Sequence, residues 1–189
     1  MNKKIAIFCG STFGNDESYK LLSIQAAATL ANNNYDLVYG GGYRGLMGQI
    51  AETFKNYDRE VIGVLPKLFD VPSVKLKEVH TQLIITEDMH SRKEKMFDLA
   101  DSFVIFPGGI GTFEEFFEIY TWKQLGLHTK NIVLYNLNSF YDTLIKFLDE
   151  ATEKGFMSTA IRSSLLVANN PEELLSALRT EETKLPSKI

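Results

Sequence analysis

The sequence of 189 residues predicts an α/β fold with a doubly wound, mainly parallel sheet and helices on both faces. Three observations carry this. Short β-rich runs alternate with longer stretches of helical period, the pattern of repeated βα units. Several runs, such as Val104-Ile105-Phe106 and Ile132-Val133-Leu134-Tyr135, are apolar on both faces, as a strand covered by helices on each side requires. Glycine-rich turns follow three of the runs, on the edge where a Rossmann-like sheet binds its ligands.

Taken in order, a first strand at 5–9 (IAIFC) leads through Gly10-Ser11 to a helix near 16–32. A second at 36–40 (DLVYG) enters Gly40-Gly41-Gly42-Tyr43-Arg44-Gly45 and a helix near 45–57. Strands at 60–65 (EVIGVL) and 82–86 (QLIIT) precede a helix near 91–100. The strand at 102–106 (SFVIF) runs into Pro107-Gly108-Gly109-Ile110-Gly111-Thr112, with a helix near 112–126. Strands at 131–135 (NIVLY) and 164–168 (SLLVA) are each followed by a helix, near 139–154 and 171–179. With no repeat, low-complexity segment or linker, residues 1–180 read as one Rossmann-like domain and 181–189 as a frayed polar tail.

Composition narrows the function. Apolar residues at 44% suffice for a core and exclude general disorder. A net charge of −4 argues against binding a nucleic-acid backbone but not against a single mononucleotide. The single Cys9 excludes a disulfide framework and a thiolate zinc site. His80, His90 and His128 lack ligand spacing, so no metal is expected. Lys3 and Lys4 precede an apolar run too short for a signal peptide, and no stretch approaches the roughly 20 residues of a membrane span. A cytoplasmic protein is expected.

The turn 40–45 spells the dinucleotide fingerprint, G-x-G-x-x-G. That fingerprint belongs on the first βα turn, with an acid ending the next strand, whereas here the turn is the second and Glu60 begins the next strand. Close approach of backbone to a phosphate or sugar is the expected use of these glycines, Gly41, Gly42 and Gly45 among them. The turn 107–112 is more specific. Gly108, Gly109 and Gly111 clear the way for N–H groups to converge on an anion, at a helix N-terminus that favours negative charge. No Lys-Ser or Lys-Thr follows, so this is not an ATP loop, and a monophosphate suits it.

Two charged residues are candidates for chemistry. At about 100° per residue, Phe113, Phe116, Phe117 and Tyr120 form a core stripe that leaves Glu115 and Glu118 outside it. Glu115 reads either as the end of a capping box begun by Thr112 or as a catalytic carboxylate. Arg92 falls on the apolar face marked by Met89, Met96 and Ala100. It either snorkels to water or faces a ligand, with Lys93 a solvated neighbour and Ser91-Arg92-Lys93-Glu94 a possible cap. Ile119 and Trp122, on other faces of the Glu115 helix, predict cover by a second copy of the chain.

These motifs together resemble the LOG family of cytokinin-activating phosphoribohydrolases. The signature P-G-G-x-G-T-x-x-E matches at 107–115, G-G-G-x-x-G-L-M-G at 40–48, and M-H-x-R-K at 89–93. Gly63-Val64-Leu65-Pro66-Lys67 and Thr121-Trp122-Lys123-Gln124-Leu125-Gly126 also match, and 68–88 departs most. The resemblance implies hydrolysis of an adenosine 5′-monophosphate, N6-modified or not, to free base and ribose 5-phosphate, by a homodimer without cofactor. It places catalysis on Arg92 and Glu115. Substrate binding falls on Lys93, Thr121, Met89 and Ser11, on Gly41, Gly42 and Gly45, and on Gly108, Gly109, Ile110, Gly111 and Thr112. A nucleotide carrier without turnover, or a pyridoxal-phosphate decarboxylase, are the alternatives.

Overall fold

A computed structural model of the chain describes residues 2–71 and 79–185. Seven strands form one parallel sheet: β1 (Lys3–Phe8), β2 (Tyr35–Tyr39), β3 (Val61–Pro66), β4 (Gln82–Thr86), β5 (Ser102–Ile105), β6 (Asn131–Tyr135) and β7 (Leu165–Ala168). The order β4-β3-β2-β1-β5-β6-β7 puts the reversal of winding between β1 and β5. A doubly wound sheet opens its ligand crevice beyond the carboxyl ends of the strands at that reversal.

The helices are α1 (Ser18–Asn32), α2 (Gly45–Asn56), α3 (Met89–Leu99), α4 (Ile110–Gln124), α5 (Asp142–Glu153), α6 (Thr159–Ser163) and α7 (Pro171–Arg179). Two cores follow from the alternation of side chains along strands. Ile5, Ile7, Leu37 and Val104 pack with α1, α2 and α7 on one face. Ala6, Val38, Phe103 and Leu134 pack with α3 to α6 on the other. Short α6 and two 3-10 turns, Lys67–Phe69 and Leu137–Ser139, are too brief to leave a periodic signal and were not expected.

Two helices begin earlier than the pattern indicates. Asp88, not Ser91, caps α3: its carboxylate accepts from the Ser91 N–H at 2.8 Å, and the Ser91 hydroxyl accepts from the Asp88 N–H at 3.1 Å. Gly109 holds the N-cap position of α4, so Thr112 already lies inside the first turn and is no cap.

The stretch 181–185 is also less free than a frayed tail. Glu182 accepts a bond from the Thr129 hydroxyl, and Leu185 packs on the second core. Residues 186–189 lie outside the described part. Among the described residues no helix is long and apolar enough to cross a membrane.

Candidate active site

Four turns on the carboxyl edge enclose a cavity of about 290 Å³, with Cys9, Ser11, Gly109, Thr112, Glu115 and Arg92 on its walls. It shares Ser11, Met47, Met89 and Arg92 with a neighbouring lobe of about 360 Å³. That lobe is mostly apolar, walled by Tyr43, Leu65, Pro66 and Phe69, with Arg44 and Gly42 also on its surface.

The turn after β5 is held rigidly. The Tyr141 hydroxyl donates to the Phe106 carbonyl at 2.7 Å, and the Gly10 N–H donates to the Pro107 carbonyl at 3.0 Å. A side chain on Gly108 would collide with the Thr112 hydroxyl at 2.2 Å, so this glycine lets Thr112 tuck beneath the turn. Side chains on Gly109 or Gly111 would meet no protein atom within 4 Å. The room they leave is the cavity's own, and both line it together with Ile110. No side chain caps α4, so the first-turn N–H groups are available to an anion there.

The other two helix starts nearby are occupied. At α2, the Met47 and Leu46 N–H groups donate to the carbonyls of Gly10 and Thr12 at 3.3 and 3.4 Å. Asp88 and Ser91 close α3. Of the glycines expected to approach a phosphate or sugar, Gly42 lines the lobe. Gly41 packs on Leu65, and a side chain on Gly45 would lie 2.3 Å from the Ser11 backbone. Neither lines the cavity or its lobe. Gly40 serves Arg92, whose Nη2 would stand 2.2 Å from an added Cβ.

Arg92 neither snorkels nor stays unpaired. Its Nη1 donates to Glu115 Oε1 at 2.6 Å and its Nε to the Val64 carbonyl at 3.2 Å, with both charged residues buried. Glu115 therefore caps nothing. The buried stripe of α4 is Thr112, Glu115, Phe116, Ile119, Tyr120 and Lys123, while Phe117 is 40% exposed. The stripe is turned by about one residue from the expected one, because the partner from α3 makes a buried carboxylate tolerable.

Burial pushes the Glu115 carboxyl above its usual range; the Arg92 charge and hydrogen bond oppose this, Glu114 adds to the rise and Lys93 lowers it. The Cys9 thiol is raised by burial and then by Glu115, so it stays protonated.

Lys93 is not the solvated neighbour that spacing suggested. It is buried, bonding Glu118 Oε1 at 2.9 Å and also Glu114. Met89 reaches the cavity mouth half-exposed. Thr121 does not reach it: its hydroxyl donates to the Phe117 carbonyl at 2.7 Å on the exposed side of α4. Glu60 pairs with Lys4 at 3.0 Å, at the opposite edge of the sheet, where no cofactor ribose could meet it. No cluster of three or more metal-binding side chains forms among the described residues.

A buried Arg–Glu pair beside an uncapped helix start, in a crevice at the reversal of a parallel sheet, defines a nucleotide-binding α/β protein equipped for acid–base or electrostatic chemistry. Residues 47–178 match the family described as "Possible lysine decarboxylase". The chain is 43% identical over 176 residues, 93% of its length and 82% of the relative's, to cytokinin riboside 5′-monophosphate phosphoribohydrolase LOG2 of Arabidopsis thaliana. It is 40% identical over 180 residues, 95% and 82% of the two lengths, to LOG7 of that plant, which bears the same description. In fold it is similar to the Moco carrier protein of Chlamydomonas reinhardtii, with a TM-score of 0.70 at 18% identity over 95% and 96% of the two chains. The chain belongs to the LOG phosphoribohydrolase family.

The family description raises pyridoxal phosphate, which needs a lysine in the cavity for its Schiff base. Among the described residues no lysine lines the cavity or the apolar lobe, and Lys93 close by is committed to two carboxylates. The described residues of the site do not fit that cofactor.

Proposed function

We propose that the protein hydrolyses the N-glycosidic bond of an adenosine 5′-monophosphate, N6-modified or not, to free base and ribose 5-phosphate. The buried Arg92–Glu115 pair facing the cavity carries this reading. The 5′-phosphate docks on the N–H groups of Ile110, Gly111 and Thr112, which sets the ribose over Glu115 and directs the base toward the apolar lobe. As the C1′–N9 bond breaks, positive charge grows on the ribose. The Glu115 carboxylate stabilises that charge and orients the water whose oxygen bonds C1′, while the water's proton ends on the departing base. Arg92 holds the carboxylate in place and ionised despite burial that favours the acid form.

The domain 1–180 acts as one unit in this scheme, and the buried free thiol suits a reducing cytoplasm. The working form is a homodimer, although Ile119 and Trp122 no longer argue for it. Ile119 is core, and Trp122 packs edge-on against Phe97 at 5.0 Å. Ile110, Phe117 and Thr121, exposed at 82% and 40% for the first two, fall on one outward stripe of α4 and supply the argument instead. Adenine release from AMP tests the reaction. Sedimentation over a dilution series tests the assembly, with a fully active species near 21.4 kDa overturning it.

A further inference from the structure

Helix α3 grips helix α4 at two consecutive residues. Arg92 holds Glu115, and Lys93 holds Glu114 and Glu118, which stand one turn apart on either side of Glu115 in sequence. The Lys93 side chain is only 8% exposed, and it lines neither the cavity nor the apolar lobe. Its bonding capacity is taken up by α4, through Glu114 on the cavity wall and Glu118 one turn further on.

We propose that Lys93 is a positioning residue for the hydrolysis, fixing through Glu114 and Glu118 the rotation of α4 and the balance of charge around Glu115. The proposal rests on the reaction assigned to Glu115 above. A carboxylate at the rim of a helix stands roughly 6 Å from its axis, so a turn of about 10° moves it by about 1 Å. An error of that size in a reacting group costs on the order of 10²-fold in rate.

The charges facing Glu115 are Arg92 and Lys93 from α3 and Glu114 and Glu118 on its own helix, with the Cys9 thiol across the cavity on the turn after β1. Two cations there face three carboxylates. Burial works to lower the proton affinity of Lys93, but the bonds to Glu114 and Glu118 outweigh it and the net shift is upward, so the cation persists. Without it, Arg92 alone would oppose the effect of Glu114 on Glu115.

The test is steady-state release of adenine from AMP by wild type, Lys93→Met, Lys93→Arg and Glu118→Gln, across the pH range. Lys93→Met is expected to lower kcat at least about 10-fold with KM within about 3-fold, since an interaction acting only on the reacting group is lost. Its acid limb should move to higher pH, Lys93→Arg should restore most of the rate, and Glu118→Gln should show a smaller loss of kcat. A rise in KM with kcat unchanged in Lys93→Met would make the residue a substrate contact and overturn the proposal, as would a Glu118→Gln variant with wild-type kcat. Should Lys93→Met fail to fold, Glu118→Gln decides alone. An inactive wild type would sink the hydrolase reading and this one together; an active wild type with the KM defect sinks this one only.

Discussion

Gly40→Ala is a small change aimed at the centre of the site. The added methyl would sit 2.2 Å from Arg92 Nη2, so the guanidinium must retreat by at least about 1.2 Å to reach ordinary contact. A shift of that size exceeds the roughly 0.6 Å by which the Arg92–Glu115 bond of 2.6 Å could lengthen before passing the hydrogen-bonding limit of about 3.2 Å. Because the obstacle is the tip of a flexible side chain, the fold can yield. Glu115, already inclined to bind a proton, can neutralise itself once its partner leaves. The expected stability loss is therefore about 1–2 kcal/mol. A misplacement of about 1 Å at the reacting group costs on the order of 10²-fold in kcat, or about 2.7 kcal/mol of barrier. Thermal unfolding and adenine release from AMP, measured on one preparation, read the two effects separately. A variant with wild-type kcat would refute the claim that the guanidinium must stand where it does.

Three further outcomes follow from the same geometry. Glu115→Gln should keep nucleotide binding, measured by calorimetry, and lose at least about 10²-fold in kcat; near-normal turnover would dismiss the carboxylate. In the pH profile of kcat/KM, the acid limb should lie above the ordinary glutamate value of 4.5, because burial raises the Glu115 carboxyl and activity needs its ionised form. A limb at or below that value would point to another group. AMP should be hydrolysed while adenosine is not, since only the phosphate engages the uncapped start of α4. Equal turnover of the two would count against that anchor.

Much of the fold was legible because a parallel sheet writes its strands as short runs apolar on both faces. All seven strands lie close to their expected places, even β4, whose side chains are half exposed. The glycine turn at 107–112 was legible for a related reason: its open backbone needs no partner distant in sequence.

What the sequence concealed depends on distant partners. Glu115 belongs to the buried stripe of α4 only because Arg92, on another helix, neutralises it. A periodicity argument counts every carboxylate as outward and so turned the helix by one residue. Gly40 is small for the sake of a side chain more than fifty positions away, which no reading of its own turn could show. Lys93 looked solvated because its partners lie on a different helix. The segment that departs most from the family pattern, 68–88, is described except at 72–78, and within it Phe69 bounds the apolar lobe.

The location of the Arg92–Glu115 bond has a bearing on durability. Arg92 rides on the helix that follows β4, the outermost strand on its side, whose only neighbour among the described residues is β3. Glu115 rides on the helix that follows β5, inside the sheet between β1 and β6. The bond thus ties a margin of the protein to its interior. Peripheral units open at a lower free energy than the centre. Mild denaturant or warming should accordingly silence the enzyme while most of the sheet still gives its full spectroscopic signal. Working lifetime is then governed by the β3–β4 seam, and reinforcing that seam would lengthen it more than any improvement to either core.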